Sequence, residues 1–232
     1  MESTKYHRFD DYQQSKIESI CSRLKGAVSV WDVSDWLNNF QPNEYDIALE
    51  VLAKLEYVSE AELIEKLDEG LGRICKLNPK KKVIVHPIGD YGKSGTMMVY
   101  YLKKTTSYRK HNHRISFLES LNSYSDLNAV RTRLDKSVFV LLDDFLGSGE
   151  SIATYFQDNV APSIAGLDLS GRYILTIFYL SRARRLLENT AMKEYKIIGE
   201  SRLPAFTARS SLFGARKRMI SIRAFCYGYG KK

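Results

Sequence analysis

Residues 136–151, KSVFVLLDDFLGSGES, constrain this chain more than any other stretch. The five apolar residues Val138, Phe139, Val140, Leu141 and Leu142 show no polar alternation, which predicts a strand buried on both faces. The strand ends on Asp143 and Asp144. Phe145 and Leu146 follow, then Gly147, Ser148, Gly149, Glu150 and Ser151, and then residues 152–158, which read as the first turns of a helix. A strand, a loop of glycines and small hydroxyls, and a helix start leave backbone N–H groups free beside the positive end of a helix dipole, an arrangement suited to an anion. Two carboxylates beside such a cradle do something different, accepting hydrogen bonds from vicinal hydroxyls or holding a divalent cation. The plain alternative is a buried strand with Asp143 or Asp144 as a helix cap, which gives no reason for a second acid and the GSGES loop together.

An earlier stretch has the same grammar. Residues 83–87 read as a strand, Gly89, Asp90, Tyr91, Gly92, Lys93, Ser94 and Gly95 as a glycine-spaced loop, and 96–104 as a helix. Further strands are predicted at 114–118, 138–142, 173–180, 195–198 and 219–227, with helices at 125–134 and 182–191. Such alternation predicts an α/β fold, a mostly parallel sheet flanked by helices. Ligands then gather outside the carboxyl ends of the strands, where both glycine loops fall.

Residues 1–78 read differently. Amphipathic helices are predicted at 10–25, at 29–40 with Asp32 or Ser34 as cap, at 43–57, and at 59–71 with a capping-box start at Ser59 and Glu62. The chain therefore divides into an N-terminal α-helical module, winged-helix-like or partner-binding, and an α/β domain over 79–232. Charge follows the same division. Residues 1–78 hold 9 Lys and Arg against 15 Asp and Glu, a net −6, and residues 79–232 hold 26 against 12, a net +14. Anionic partners, phosphates or nucleic acid, belong to the second part. The −6 of the first argues against phosphate contact there. Three scattered cysteines without metal spacing predict a reduced, cytoplasmic setting, and no stretch approaches the length needed to cross a bilayer.

The loop after the central strand resembles that of type I phosphoribosyltransferases, which binds 5-phosphoribosyl 1-pyrophosphate (PRPP): apolar strand, two acids, two apolar residues, then a short Gly and Ser/Thr cradle. The resemblance covers roughly residues 83–200. It implies that Asp143 and Asp144 hold the ribose 2′ and 3′ hydroxyls, that Asp143 lies near Mg2+, and that Gly147, Ser148, Gly149, Glu150 and Ser151 surround the 5′-phosphate. Glu150 departs from the family pattern, which has Gly or Ala there, and its charge has to point away from the phosphate. The earlier loop resembles the family's pyrophosphate loop, with backbone N–H groups from Asp90, Tyr91, Gly92, Lys93, Ser94 and Gly95 and the Lys93 ammonium as ligands. In purine-using relatives an acid often stands where this chain has Gly147, so that kind of acceptor has no evident partner here.

Gly92-Lys93-Ser94 also ends like a Walker A loop, with VFVLLDD as a Walker B strand, which would make the chain a P-loop NTPase. Pro87, however, stands where that motif needs a small residue, and the reading leaves GSGES unused. The basic stretch Arg109, Lys110, His111, His113 and Arg114 sits near where type I enzymes carry a flexible loop that closes over the reaction, so Arg109 is a candidate for neutralising the departing pyrophosphate. The stretch also reads as a solvated face. Arg182, Arg184, Arg185, Arg209, Arg216, Lys217, Arg218 and Arg223, with Tyr and Phe between them, suit a nucleic-acid backbone or plain solvent.

DDFLGSGES behind a helical module beginning near WLNNF is most similar to divergent phosphoribosyltransferase-like proteins of bacterial conflict and anti-phage systems, retron effectors among them. That similarity implies a cytoplasmic antiviral effector that acts on PRPP or another ribose phosphate. Its implied partners are a nucleic-acid-containing complex of reverse transcriptase and single-stranded DNA, and a second copy in a homodimer. The alternative from another class is a nucleotide-sensing protein that keeps the fold without turnover.

Overall fold

The computed structural model describes residues 9–89, 94–118, 131–132, 134–206 and 212–230. Two compact units emerge, one made of residues 59–204 and the other of 1–58 with 205–232.

Residues 59–204 hold six strands: β1 (Val83–Pro87), β2 (Ile115–Phe117), β3 (Val138–Leu142), β4 (Phe145–Leu146), β5 (Gly171–Leu180) and β6 (Lys196–Arg202). Every pairing is parallel, and the main order is β2-β1-β3-β5-β6, with the short β4 on β5 beyond the end of β3. The expected parallel sheet is thus present. Its central strand is buried throughout, and alternate residues feed two cores. Val138, Val140 and Leu142 face one cluster with Val83, Val85 and Leu175, while Phe139 and Leu141 face the other with Ile84 and Ile174. Such a strand has no solvent face, so it shows no alternation in sequence.

Helices cover both faces. On one lie α4 (Glu60–Leu77), through Leu67, Leu71, Ile74 and Cys75, and α5 (Ser94–Lys104), through Met98 and Leu102. The other carries a helical run of α7 (Glu150–Tyr155), a π turn (Phe156–Val160) and α8 (Ala161–Ile164), together with α9 (Ser181–Leu187). Between α5 and β2 lies α6 (Thr106–His111), followed by a 3-10 turn (Asn112–Arg114). His86 of β1 is wholly buried, with Nδ1 2.7 Å from the Leu118 carbonyl and Nε2 3.0 Å from the Tyr155 hydroxyl. Burial pulls its pKa down, so the neutral ring ties the exit of β2 to α7.

The second unit contains α1 (Asp11–Arg23), α2 (Val30–Leu37), α3 (Tyr45–Leu52) and α10 (Arg216–Tyr229). Ile17, Ile20, Val33, Leu37, Ala48 and Leu49 form its core. Glu50 pairs with Arg218, and the rings of Phe40, Phe225 and Tyr229 cluster at 4.8 to 5.4 Å.

Several sequence expectations shift. The last predicted strand, 219–227, is helical: Met219, Ile222 and Cys226 recur every three to four residues, a period that belongs to a helix. Ser29, with Asp32 in a capping box, caps α2 in place of Asp32 or Ser34. Compact units divide at 58/59 and 204/205, whereas the sequence places its boundary at 78. The reason is that α4 buries its apolar stripe on the sheet and α10 packs with α1–α3. Most of the helix predicted at 125–134 lies outside the described residues, although Leu134 is buried as expected.

Candidate functional site

The order β2-β1-β3 makes the gap between β1 and β3 a switch point, where chain connections run off to opposite sides and leave a crevice at the carboxyl ends. Register runs to the last residues, Pro87 beside Leu142, and Ile88 N–H still donates to the Leu142 carbonyl (2.9 Å). The chain then leaves through Gly89, whose φ of +92° favours glycine. Residues 90–93 lie outside the described residues, so Asp90, Tyr91, Gly92 and Lys93 receive no placement, and neither does the Walker-type use of Lys93. At the start of α5, Gly95 lies against β1 so closely that a Cβ would collide with the Ile88 carbonyl. That approach brings Ser94 towards Asp143, close enough for its hydroxyl to favour the ionised carboxylate and offset part of the effect of burial.

Asp143 and Asp144 follow β3 directly. Asp143 N–H donates to the Leu175 carbonyl (3.0 Å), and its Oδ1 accepts from Asp144 N–H (3.0 Å). Burial first, then the neighbouring Asp144 charge and a carboxyl–carboxyl hydrogen bond, push the Asp143 pKa up to about 7. Asp143 therefore holds less than a full charge near neutrality, and a cation or hydroxyl donors beside it would favour its ionised form.

The Asp144 carbonyl is clamped by the Thr176 hydroxyl (3.0 Å), Ile177 N–H (3.1 Å) and Phe178 N–H (3.4 Å). A bulge makes this possible. Between the pairs Leu175–Ile198 and Phe178–Glu200, Thr176 and Ile177 of β5 stand against Gly199 of β6, where a Cβ would collide with the Thr176 carbonyl. Sequence reading missed this clamp. Thr176 reads as one more strand residue, and the lone signal was a glycine inside the β6 pattern.

Beyond β4 the loop turns at Gly147, Ser148 and Gly149. Gly149 has φ +89°, and a Cβ there would lie 3.1 Å from Ala183 Cα, so both backbone conformation and space call for glycine. The Ser148 hydroxyl accepts from Glu150 N–H (3.2 Å), and Arg182 Nε donates to the Gly147 carbonyl (3.3 Å). Glu150 and Ser151 open α7 and are exposed, so the loop's own acid does not fill the bend. Phe145 is exposed beside it.

Ser94, Gly95, Asp143, Asp144 and residues 147–151 thus gather at one end of the sheet. The basic stretch does not join them. Arg109 lies in α6, and no hydrogen bond or ion pair among the described residues links it to the acids. Arg114 stands where β1 and β2 begin, a strand length of roughly 15 Å from their carboxyl ends. Its guanidinium donates to the carbonyls of Cys75 (3.1 Å), Asn78 (3.0 Å) and Lys81 (2.8 Å). Residues 109–114 are the end of a helix and a 3-10 turn, with Thr105 capping α6 and Arg114 satisfying the carbonyls beneath.

A family model described as PRTase-CE matches residues 33–232, more than four-fifths of the chain. No curated protein matches. Solved structures with some likeness include adenine phosphoribosyl transferase from Trypanosoma brucei in complex with AMP, pyrophosphate and ribose-5-phosphate (TM-score 0.42, 10% identity, covering 70% of this chain and 77% of that one). Others are adenine phosphoribosyltransferase from Leishmania tarentolae (0.40, 16%, 62% and 71%) and orotate phosphoribosyltransferase from Aeropyrum pernix (0.38, 15%, 62% and 72%). The family match alone carries the assignment: the chain belongs to the PRTase-CE family.

Proposed function

We propose that the protein binds PRPP or a related ribose phosphate at the carboxyl ends of β1 and β3 and transfers the phosphoribosyl group to a nitrogen acceptor. One observation carries this reading: the pair Asp143 and Asp144 at the switch point, directly after β3, with the start of α5 at Ser94 beside them. The two carboxylates accept the ribose 2′ and 3′ hydroxyls, backbone N–H groups of 147–151 surround the 5′-phosphate, and residues 90–95 meet the pyrophosphate. As the C1′–O bond breaks and a C1′–N bond forms, positive charge grows on the sugar ring. The acid pair lies where it offsets that charge, and the acceptor's proton leaves to solvent.

The donor set fits Mg2+. Asp143 offers a hard carboxylate oxygen and would hold the ion together with substrate oxygens and water, an arrangement Mg2+ favours. When bound, the ion neutralises pyrophosphate oxygens. The alternatives, a nucleotide sensor without turnover and a P-loop NTPase, have no observation of their own in their favour.

The wider role as an anti-phage effector rests on the resemblance of the loop and helical module. A nucleic-acid-containing partner is supported by the absence of any acid after Glu200 and by the exposed Arg216, Lys217 and Arg223 of α10. Calorimetric titration with PRPP and Mg2+ tests the binding, and pyrophosphate release with offered acceptors tests the transfer. Absence of heat with PRPP overturns the reading.

A further inference from the structure

A cleft of about 480 Å3 lies along α9 and the edge strand β6, lined among others by Tyr179, Arg184, Glu188, Lys193, Tyr195 and Lys196. Its size suits a small-molecule ligand. Arg184 pairs with Glu188 one turn on (3.1 Å), whereas Lys193 and Lys196 are exposed and make no ion pair among the described residues. Tyr195 is 8% exposed, its ring meets Phe156 edge-on, and its hydroxyl is buried with no hydrogen-bond partner among the described residues. The Tyr195 hydroxyl therefore belongs to the core behind the cleft, and Tyr179, half-buried on the wall, is the ring that a ligand meets. Surplus positive charge with an accessible aromatic wall at Tyr179 suits an organic polyanion with an aromatic ring.

We propose that this cleft is an effector site for a nucleoside diphosphate or larger nucleoside polyphosphate, with the phosphates on Lys193 and Lys196 and the base against Tyr179. The consequence for the rest of the protein runs through α9. Residues Arg184 and Glu188 of that helix face the cleft, while Ala183 packs on Gly149 and Arg182 holds the Gly147 carbonyl. A ligand that draws Arg184 away from Glu188 thus acts on the helix that braces the 147–149 bend. This coupling rests on the function proposed above; the binding does not.

Calorimetric titration with ADP separates the two. Wild-type protein and the Asp143→Asn, Asp144→Asn double variant are expected to bind ADP within twofold of each other. Lys193→Ala with Lys196→Ala weakens ADP at least tenfold, and Tyr179→Ala weakens it severalfold. Saturating ADP changes the PRPP dissociation constant of wild-type protein at least threefold. No ADP binding, binding unchanged in the lysine variant, or binding lost in the acid variant overturns the proposal. Inorganic pyrophosphate bound as tightly as ADP overturns its nucleoside part. If ADP behaves as expected and PRPP never binds, the effector cleft stands and the transferase reading falls.

Discussion

Two charged stretches stand out in this sequence, and the fold places them at opposite ends of the sheet. Residues 143–151 leave β3 at its carboxyl end, where the pairing of β1 and β3 has run out. Residues 109–114 lead into β2 at its amino end, where Arg114 donates to three main-chain carbonyls. In charge alone the basic stretch looks the better phosphate binder. Position reverses that ranking: parallel strands gather free N–H groups and helix N-termini at their carboxyl ends, and an arginine at the other end becomes a structural clamp.

The largest expected effect strikes the acidic end. Asp143→Asn with Asp144→Asn lowers PRPP affinity more than 100-fold by calorimetry while the melting temperature holds or rises; retained affinity would break the contrast. Gly149→Ala, at φ +89° and against Ala183, is expected to weaken PRPP about tenfold and to cost roughly 1–2 kcal/mol of stability, read by denaturant unfolding. Arg114→Ala should do the reverse, costing about 2 kcal/mol through its lost carbonyl bonds with PRPP affinity within twofold.

A pH series sharpens the contrast further. The folded pKa of Asp143, about 7, lies above its ordinary value of 3.8, so between those limits the folded state binds more protons than the unfolded one. This group's contribution to stability is therefore greatest in acid and falls as pH rises from about 4 to 7. Asp143→Asn flattens that slope, measured as unfolding free energy against pH, and an unchanged slope refutes the shift. The smallest effect belongs to Arg109→Ala, for which stability and PRPP affinity both stay within error; a tenfold loss of affinity would restore the basic stretch to the site.

Much of the site was legible from residues 136–151 because its determinants are local. An unbroken apolar run can only be a strand covered on both faces, and glycine at 149 reports a backbone conformation that L side chains rarely adopt. The cap of α4 at Ser59 and Glu62 was equally plain, since a capping box closes within four residues. Composition misled near the C-terminus: the β-branched and aromatic residues in 219–227 suit a strand, while the spacing of Met219, Ile222 and Cys226 belongs to the helix that forms.

What the sequence by itself determined, then, is the central strand with its paired acids, the glycine bend after it, and the alternation that makes the sheet parallel. Only the tertiary structure decided which residues meet across the chain: Ser94 on Asp143, the Thr176 bulge on the Asp144 carbonyl, Ala183 against Gly149, and Arg114 far from them all. The physical reason is range. Strand burial and turn conformation are fixed by neighbours within a few residues, whereas these contacts join positions about 30 or more residues apart, and strand order and register alone bring such positions together.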